Sequence, residues 1–170
     1  PNGQAQQGVL GASLADARSE AAEVAVLEAH GTGTALGDPI EAGAIASVYL
    51  AKWGCMSRPL AVGSLKANAG HTEPSAGIAG ALKLMMQFGG EASPPNAQLH
   101  SLNPHVEATL ACRPMAYVLP VQIGLLCMSA RKVNGGVSAF GYAGTNAHAV
   151  LSFSAWQPRL AFRRRSYSWL

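Results

Sequence analysis

The sequence is poor in charge. Only 12% of its 170 residues are Asp, Glu, Lys or Arg, against 49% hydrophobic residues. That balance is apolar for a free-standing soluble domain, so part of the surface is expected to pack against another part of a larger chain or a second subunit. Aromatic residues are scarce too, at 6%. The body has no interleaving of aromatic and basic residues, which argues against a nucleic-acid partner. No apolar run approaches the roughly 18 residues of a membrane span. There is no initiator Met and no signal-peptide pattern, so the expected location is cytoplasmic, although an upstream organellar leader would have been cut off. The chain starts at Pro1 as if taken from something longer. Cysteines number only three, Cys55, Cys112 and Cys127. Their spacing matches no zinc or redox motif, so no metal site is expected and they read as reduced thiols. The net charge of +3 comes from the tail, where Arg159, Arg163, Arg164 and Arg165 lie. Before residue 159 eight basic residues face nine acidic ones. The tail reads as a solvated segment or linker.

What the sequence does contain is an alternation of short apolar runs and helical patterns. A helix is predicted over Gln4–Ala17, with Leu10, Leu14 and Ala17 on one face. Glu23–Ala29, "EVAVLEA", is β-branched and short, and reads as a buried strand. Asp38 is a candidate N-cap, with Pro39 at the first helical position, Glu41 completing a capping box, and Ile40, Ala44 and Val48 on one face. That helix is expected to fade near Trp53–Gly54. Leu60–Ser64 reads as a second buried strand. Thr72 is a candidate cap for a helix from about Glu73 to Phe88. That helix is rich in small residues, with Gly77 and Gly80 among them. Each glycine costs a helix about 1 kcal/mol relative to alanine, which implies close approach of a neighbouring element and a buried, central helix. Residues 92–105 are proline-rich and irregular. Met115–Leu119 is a candidate strand, and Gly135–Phe140 pairs with His148–Phe153 around a glycine-rich turn. The order is that of an α/β fold.

Three loops carry the chemistry. "EAHGTGTALGDPIEAG", Glu28–Gly43, follows a strand and precedes a helix. Its glycines are spaced GxGxxxG rather than GxGxxG, and Asp38 at the helix start would repel a pyrophosphate. A nucleotide loop is therefore rejected. The glycines instead fix His30 in one pose, while Thr32 and Thr34 offer hydroxyls to an amide-bearing ligand. "GSLKANAGHTEP", Gly63–Pro74, puts Lys66 and His71 on one loop, where a cation beside an imidazole keeps it neutral. "SAFGYAGTNAHAVL", Ser138–Leu151, has tight turns whose backbone N–H groups could hold an oxyanion. His148 in this stretch reads as structural. Two histidines and a lysine give electrophilic stabilisation without a nucleophile.

These stretches resemble a family. "VLEAHGTGTALGDPIEA", "GSLKANAGHTEPSAGIAGALKL" and "VSAFGYAGTNAHAVL" are similar, in order, to the signature segments of the β-ketoacyl synthases, and most of all to the ketosynthase domains of polyketide synthases and animal-type fatty acid synthases. The similarity runs from Pro1 to about Ser154 and covers the C-terminal portion of such a domain, leaving residues 155–170 as a basic, aromatic linker. The resemblance implies a thiolase-like fold of αβαβα layers, of which only the C-terminal half is present. It also implies a decarboxylative Claisen condensation, in which a malonyl group on an acyl carrier protein loses carbon dioxide and attacks a cysteine-bound acyl chain. By motif position His30 and His71 are the two catalytic histidines and Lys66 the lysine that organises His71. Thr32 and Thr34 bond the phosphopantetheine arm of the carrier; no cofactor is bound tightly. Tyr142 stands at the gate, and its backbone N–H is one arm of the oxyanion hole. The family's cysteine elbow is absent here. Ala143 replaces a usual glycine, at a cost if the site needs positive φ. The implied partners are the carrier protein, the missing N-terminal half and a second copy, as a homodimer. Polyketide synthesis is the expected setting, with a fatty acid synthase or a non-catalytic ketosynthase-like subunit as alternatives. Alone, the chain is expected to be inactive for condensation. A degradative thiolase is excluded, because Cys127 lacks the glycine-rich turn of such an enzyme's cysteine base.

Overall fold

A computed structural model describes residues 1–51, 58–111, 116–126 and 132–154. Cys55, Cys112, Cys127, the Trp53–Gly54 helix end, Met115 and the tail from residue 155 lie outside the described residues. The elements run α1 (Gly3–Asp16), β1 (Val24–Glu28), α2 (Gly37–Ile45), β2 (Leu60–Gly63), α3 (Lys66–Ala69), α4 (Ala76–Gly89), β3 (Ala92–Ser93), α5 (Pro104–Leu110), β4 (Tyr117–Val118), β5 (Gly124–Leu125), β6 (Lys132–Phe140) and β7 (Asn146–Ser154). A π turn, Ala46–Leu50, extends α2.

Five strands form one sheet in the order β4-β2-β1-β6-β7. β1 is parallel to both β2 and β6, whereas β7 returns antiparallel to β6. Apolar side chains on the two faces build two separate cores. On one face Val24, Leu27 and Leu60 pack with Leu10 and Leu14 of α1, Ile45 of α2 and Tyr49 of the π turn. On the other Val26, Val133 and Val137 pack with Leu84 and Phe88 of α4. Val24 and Val26 are two apart, so a regular strand would send them to one face. The β1–β6 register shifts between them, and that irregularity divides them between the cores. β1 is thus buried on both sides, as its unbroken apolar run requires.

Several sequence expectations change. Asp38 is not the cap of α2: Leu36 holds that position, and Thr34 Oγ1 accepts the N–H of Gly37 at 3.1 Å. Glu41 does not complete a capping box but turns inward, and the buried face of α2 is Glu41, Ala42, Ala44 and Ile45 rather than Ile40, Ala44 and Val48. α4 is not buried all round. Gly77 and Gly80 do meet the sheet closely, where an added Cβ would stand 3.1 Å from Ala139 Cβ and 3.1 Å from Glu28 Cγ. Its outer face, however, exposes Ile78, Leu82, Met85 and Met86. Helix α5, capped by Asn103 accepting the N–H of His105, starts at the end of the stretch read as irregular and runs on into residues 106–110, for which the sequence reading gives no element. The small-residue pattern gave the face that packs; the apolar outer face carries no mark in a single sequence of whether it meets solvent or protein.

A candidate active site at the strand ends

β1, β2 and β6 run in one direction, so the loops that leave them gather at one edge of the sheet. That is where open α/β sheets place their ligands. β1 delivers His30, β2 delivers Lys66 and His71, and β6 delivers Phe140. Pairing continues beyond the strands, with Ala29 donating its N–H to Gly63 O at 2.7 Å.

The His30 and His71 rings meet edge to face, with centroids 5.6 Å apart and planes at 89°. Phe140 packs on the other side of His30, its ring centroid 5.8 Å away. His30 is half-buried and His71 exposed. Burial above all, then the Lys66 ammonium and then His71, holds the His30 imidazole down to a pKa of about 4. It is therefore neutral at neutral pH. The sequence reading sets such like-charge repulsion between Lys66 and His71; at His30 desolvation is the larger cause and the Lys66 charge the smaller. Lys66, half-buried, is itself pushed below the usual lysine range by burial, against the opposing pull of Glu28 and Glu41. His71 Nδ1 accepts the N–H of Glu73 at 3.1 Å. A ring nitrogen that accepts has no proton, so in the neutral ring Nε2 carries the N–H. Glu73 adopts φ 47°, an uncommon conformation for that residue; the strain sits beside His71.

The His30 loop is held from behind. Glu41 is 5% exposed, and its two carboxylate oxygens accept the N–H groups of His30 at 2.7 Å and Gly31 at 2.8 Å. Burial raises its pKa to about 7. Gly31 adopts φ 45°, and an added Cβ would stand 2.8 Å from Ser64 Cβ. Ser64 Oγ ties the two loops, reaching Gly31 O at 3.3 Å while accepting the N–H of Lys66 at 3.3 Å. Neither Glu41, Ser64 nor Phe140 was picked out by sequence pattern as a support of the site. The one available signal was the capping-box spacing of Glu41, which pointed elsewhere.

Thr32 and Thr34 sit on the same loop with hydroxyls 3.5 Å apart. Thr32, Lys66 and His71 line a cavity of about 500 Å³ together with Ile45, Leu50 and Leu110, whereas the side chains of His30 and Thr34 lie outside its lining. Tyr142 lies in the β6–β7 turn, its side chain fully exposed. The left-handed residue of that turn is Gly144, φ 98°, so Ala143 bears no such strain. His148 stays out of the site: Tyr49 Oη lies 2.8 Å from its Nε2 and Ser138 Oγ 2.9 Å from its Nδ1. Among the described residues no group of three or more His, Cys, Asp or Glu is arranged to hold a metal, and no helix is long and apolar enough to cross a membrane.

A family profile described as "Beta-ketoacyl synthase, C-terminal domain" matches residues 1–100. The chain belongs to that family. It is the C-terminal portion of a ketosynthase domain, with the thiolase-like fold of that group. Among similar proteins, a spectinabilin polyketide synthase system protein of Streptomyces orinoci is 46% identical over 154 residues, which are 89% of this chain and 4% of that protein. Mycoketide-CoA synthase of Mycobacterium tuberculosis is 42% identical over 159 residues, 94% of this chain and 4% of that protein. Among solved structures, an oxazolomycin ketosynthase domain of Streptomyces albus superposes with a TM-score of 0.81 at 31% identity. The match covers 92% of this chain and 27% of that domain. The twelfth ketosynthase of the bacillaene synthase of Bacillus amyloliquefaciens gives 0.81 at 30% identity, over 93% and 27%. The chain therefore spans about a quarter of such a ketosynthase domain and a far smaller share of the synthases.

Proposed function

We propose that this ketosynthase portion supplies the decarboxylating half of a Claisen condensation in polyketide synthesis. The observation that carries the reading is the edge-to-face pair of His30 and His71 beside Lys66 at the ends of parallel strands. A malonyl group, delivered by an acyl carrier protein on its phosphopantetheine arm, enters along Thr32 and Thr34. Its C–C bond to the carboxylate breaks, carbon dioxide leaves, and the electron pair moves onto the thioester oxygen as an enolate. His71 donates Nε2–H to that oxygen, since its Nδ1 is occupied by the Glu73 N–H. Neutral His30 adds a second N–H donor. One such donor is worth about 3–4 kcal/mol of transition-state stabilisation. Lys66 keeps positive charge close without competing as an acceptor. The enolate carbon then attacks an acyl thioester carried on a cysteine outside this chain, and the cysteine leaves as thiolate. The backbone N–H of Tyr142 stabilises the oxyanion of that second step.

The rest of the ketosynthase supplies the cysteine and covers the apolar outer face of α4, and the intact enzyme is a homodimer. Residues 1–154 belong to the ketosynthase portion and residues 155–170 to a linker. Without the cysteine the chain alone does not condense. The test uses the complete ketosynthase carrying this chain. His30→Ala and His71→Ala are expected to keep acylation of the cysteine by an acyl thioester and to lose malonyl decarboxylation about 10²- to 10³-fold. Decarboxylation at the unaltered rate in both variants would remove the reading.

A further inference from the structure

Glu28 closes β1 two residues before His30, yet its side chain leaves the cleft and enters the interior, where it is 2% exposed. One carboxylate oxygen pairs with the ammonium of Lys83, a residue of α4 that is 9% exposed. The other accepts the N–H of Leu65 at 2.5 Å. Leu65 is the residue before Lys66, at the turn from β2 into α3. The carboxylate therefore joins β1 to the loop that carries Lys66 and His71.

The surroundings are shaped for this side chain. Gly80 lies three residues before Lys83 on the same face of α4, and a Cβ there would stand 3.1 Å from Glu28 Cγ and 3.3 Å from Val137 Cγ2. Gly63 is likewise close to the ammonium, since a Cβ there would stand 3.2 Å from Lys83 Nζ. The helix-weakening glycine in α4 is thus explained by the space Glu28 occupies. A buried ion pair is a poor source of stability, because desolvation offsets its attraction and apolar replacements of equal volume are often as stable. What such replacements cannot reproduce is an acceptor aimed at the Leu65 N–H.

We propose that Glu28 is a positioning residue that fixes the Lys66–His71 loop against the His30 loop, with Lys83 as its buried counter-ion. This rests on the decarboxylation reading for its catalytic consequence, though not for its structural one. The charges that face Lys66 are Glu28, Glu41 and Asp38, which favour the ammonium, and Lys83, which opposes it. Removing Glu28 and Lys83 together therefore changes the local charge balance little and isolates the hydrogen bond.

The experiment compares two double variants of the complete ketosynthase. Glu28→Gln with Lys83→Met keeps an acceptor for Leu65; Glu28→Leu with Lys83→Met removes it. The Gln pair is expected to retain turnover. The Leu pair is expected to lose kcat for malonyl decarboxylation about 100-fold, the scale of a misplaced catalytic group, at unchanged KM. Hydrogen exchange of residues 64–72 is expected to quicken roughly tenfold in the Leu pair only, the weight of one lost hydrogen bond, with α1 and β7 unchanged. If the Leu pair does not fold, Gly80→Ala serves instead: its methyl, 3.1 Å from Glu28 Cγ, presses on that side chain and alters no charge, so a smaller loss of kcat and a smaller quickening of exchange in residues 64–72 are expected, and no change in either overturns the proposal. Equal exchange of residues 64–72 in both pairs, or loosening without loss of kcat, overturns the proposal. If the unaltered enzyme does not decarboxylate malonyl, the functional reading fails, while the exchange comparison still decides whether Glu28 holds the loop.

Discussion

His30 and His71 lie 41 positions apart in the chain and meet with their rings perpendicular, centroids 5.6 Å apart. Neither could reach the other without parallel pairing of β1 and β2, which sets Glu28 opposite Gly63. Both rings act on one substrate oxygen in the proposed reaction, so their effects are coupled. The double variant His30→Ala/His71→Ala is expected to lose far less decarboxylation than the product of the single losses, as groups acting as a unit do. Rates of carbon dioxide release from malonyl thioester by all three variants check this; strict multiplicativity would mean the rings act separately.

Gly31→Ala is expected to destabilise the ketosynthase and impair it. The methyl would stand 2.8 Å from Ser64 Cβ on a backbone at φ 45°. Strain of this kind is of order 1–3 kcal/mol. Because the Glu41 clamp holds the same peptide groups, the loop yields toward His30. Denaturant midpoints and kcat measured together test the point, and a stable variant with full kcat would contradict it.

Tyr49→Phe removes the hydroxyl 2.8 Å from His148 Nε2 and leaves that nitrogen unpaired inside the protein. An orphaned buried polar group costs about 1–3 kcal/mol. Urea unfolding is expected to show a lower midpoint at an unchanged slope, with decarboxylation per folded molecule intact, because His148 faces the α1 side core and not the cleft.

The pH dependence of stability is set by opposing groups. His30 and His148, both held down to about 4 chiefly by burial, contribute stability that is full above 6.5 and is lost as pH falls from 6.5 toward 4. Glu41, raised from 4.5 to about 7 by burial, contributes stability that is full below 4.5 and is lost as pH rises through 7. The slopes partly cancel between 4.5 and 6.5. Glu41→Gln removes one of them, so stability is expected to climb more steeply with pH in that variant than in the unaltered enzyme. Midpoints across this window would disprove the assignment if the two profiles were parallel.

The outer face of α4 predicts the behaviour of the chain by itself. Ile78 and Met86 are 71% and 77% exposed, and contiguous exposed apolar side chains favour association. Ile78→Glu with Met86→Glu is expected to reduce self-association of the isolated chain and to block its assembly into the complete ketosynthase. Sedimentation of the first and yield of the second provide the check.

Much of this was legible without coordinates. The β-branched runs marked β1, β2, β6 and β7, since an apolar strand and its flanking turn residues are local signals. The motif order placed His30, Lys66 and His71 after strands, although Lys66 opens the short helix α3 and not a loop, and the scarcity of charge foretold uncovered apolar surface, found on α4. Helix α5 escaped because seven residues, opened by a proline at the end of a proline-rich stretch, carry too little periodicity to read. Glu41 was misassigned because a carboxylate three residues after a capping side chain has the same spacing whether it turns back to its own helix or inward to a neighbouring loop.

By itself, then, the sequence determined the main strands β1, β2, β6 and β7, which residues bear protons and donors, and that Gly80 must face something close; it did not mark the short pair β3 and β5. Only the tertiary structure decided what that something is. It brought Glu28 and Lys83 together inside the protein, split Val24 from Val26 across the sheet, aimed Glu41 at the His30 peptide and desolvated the His30 ring. The reason is that hydrophobic periodicity is written in neighbours along the chain, whereas hydrogen-bond partners and burial depend on segments tens of residues apart meeting at a fixed distance.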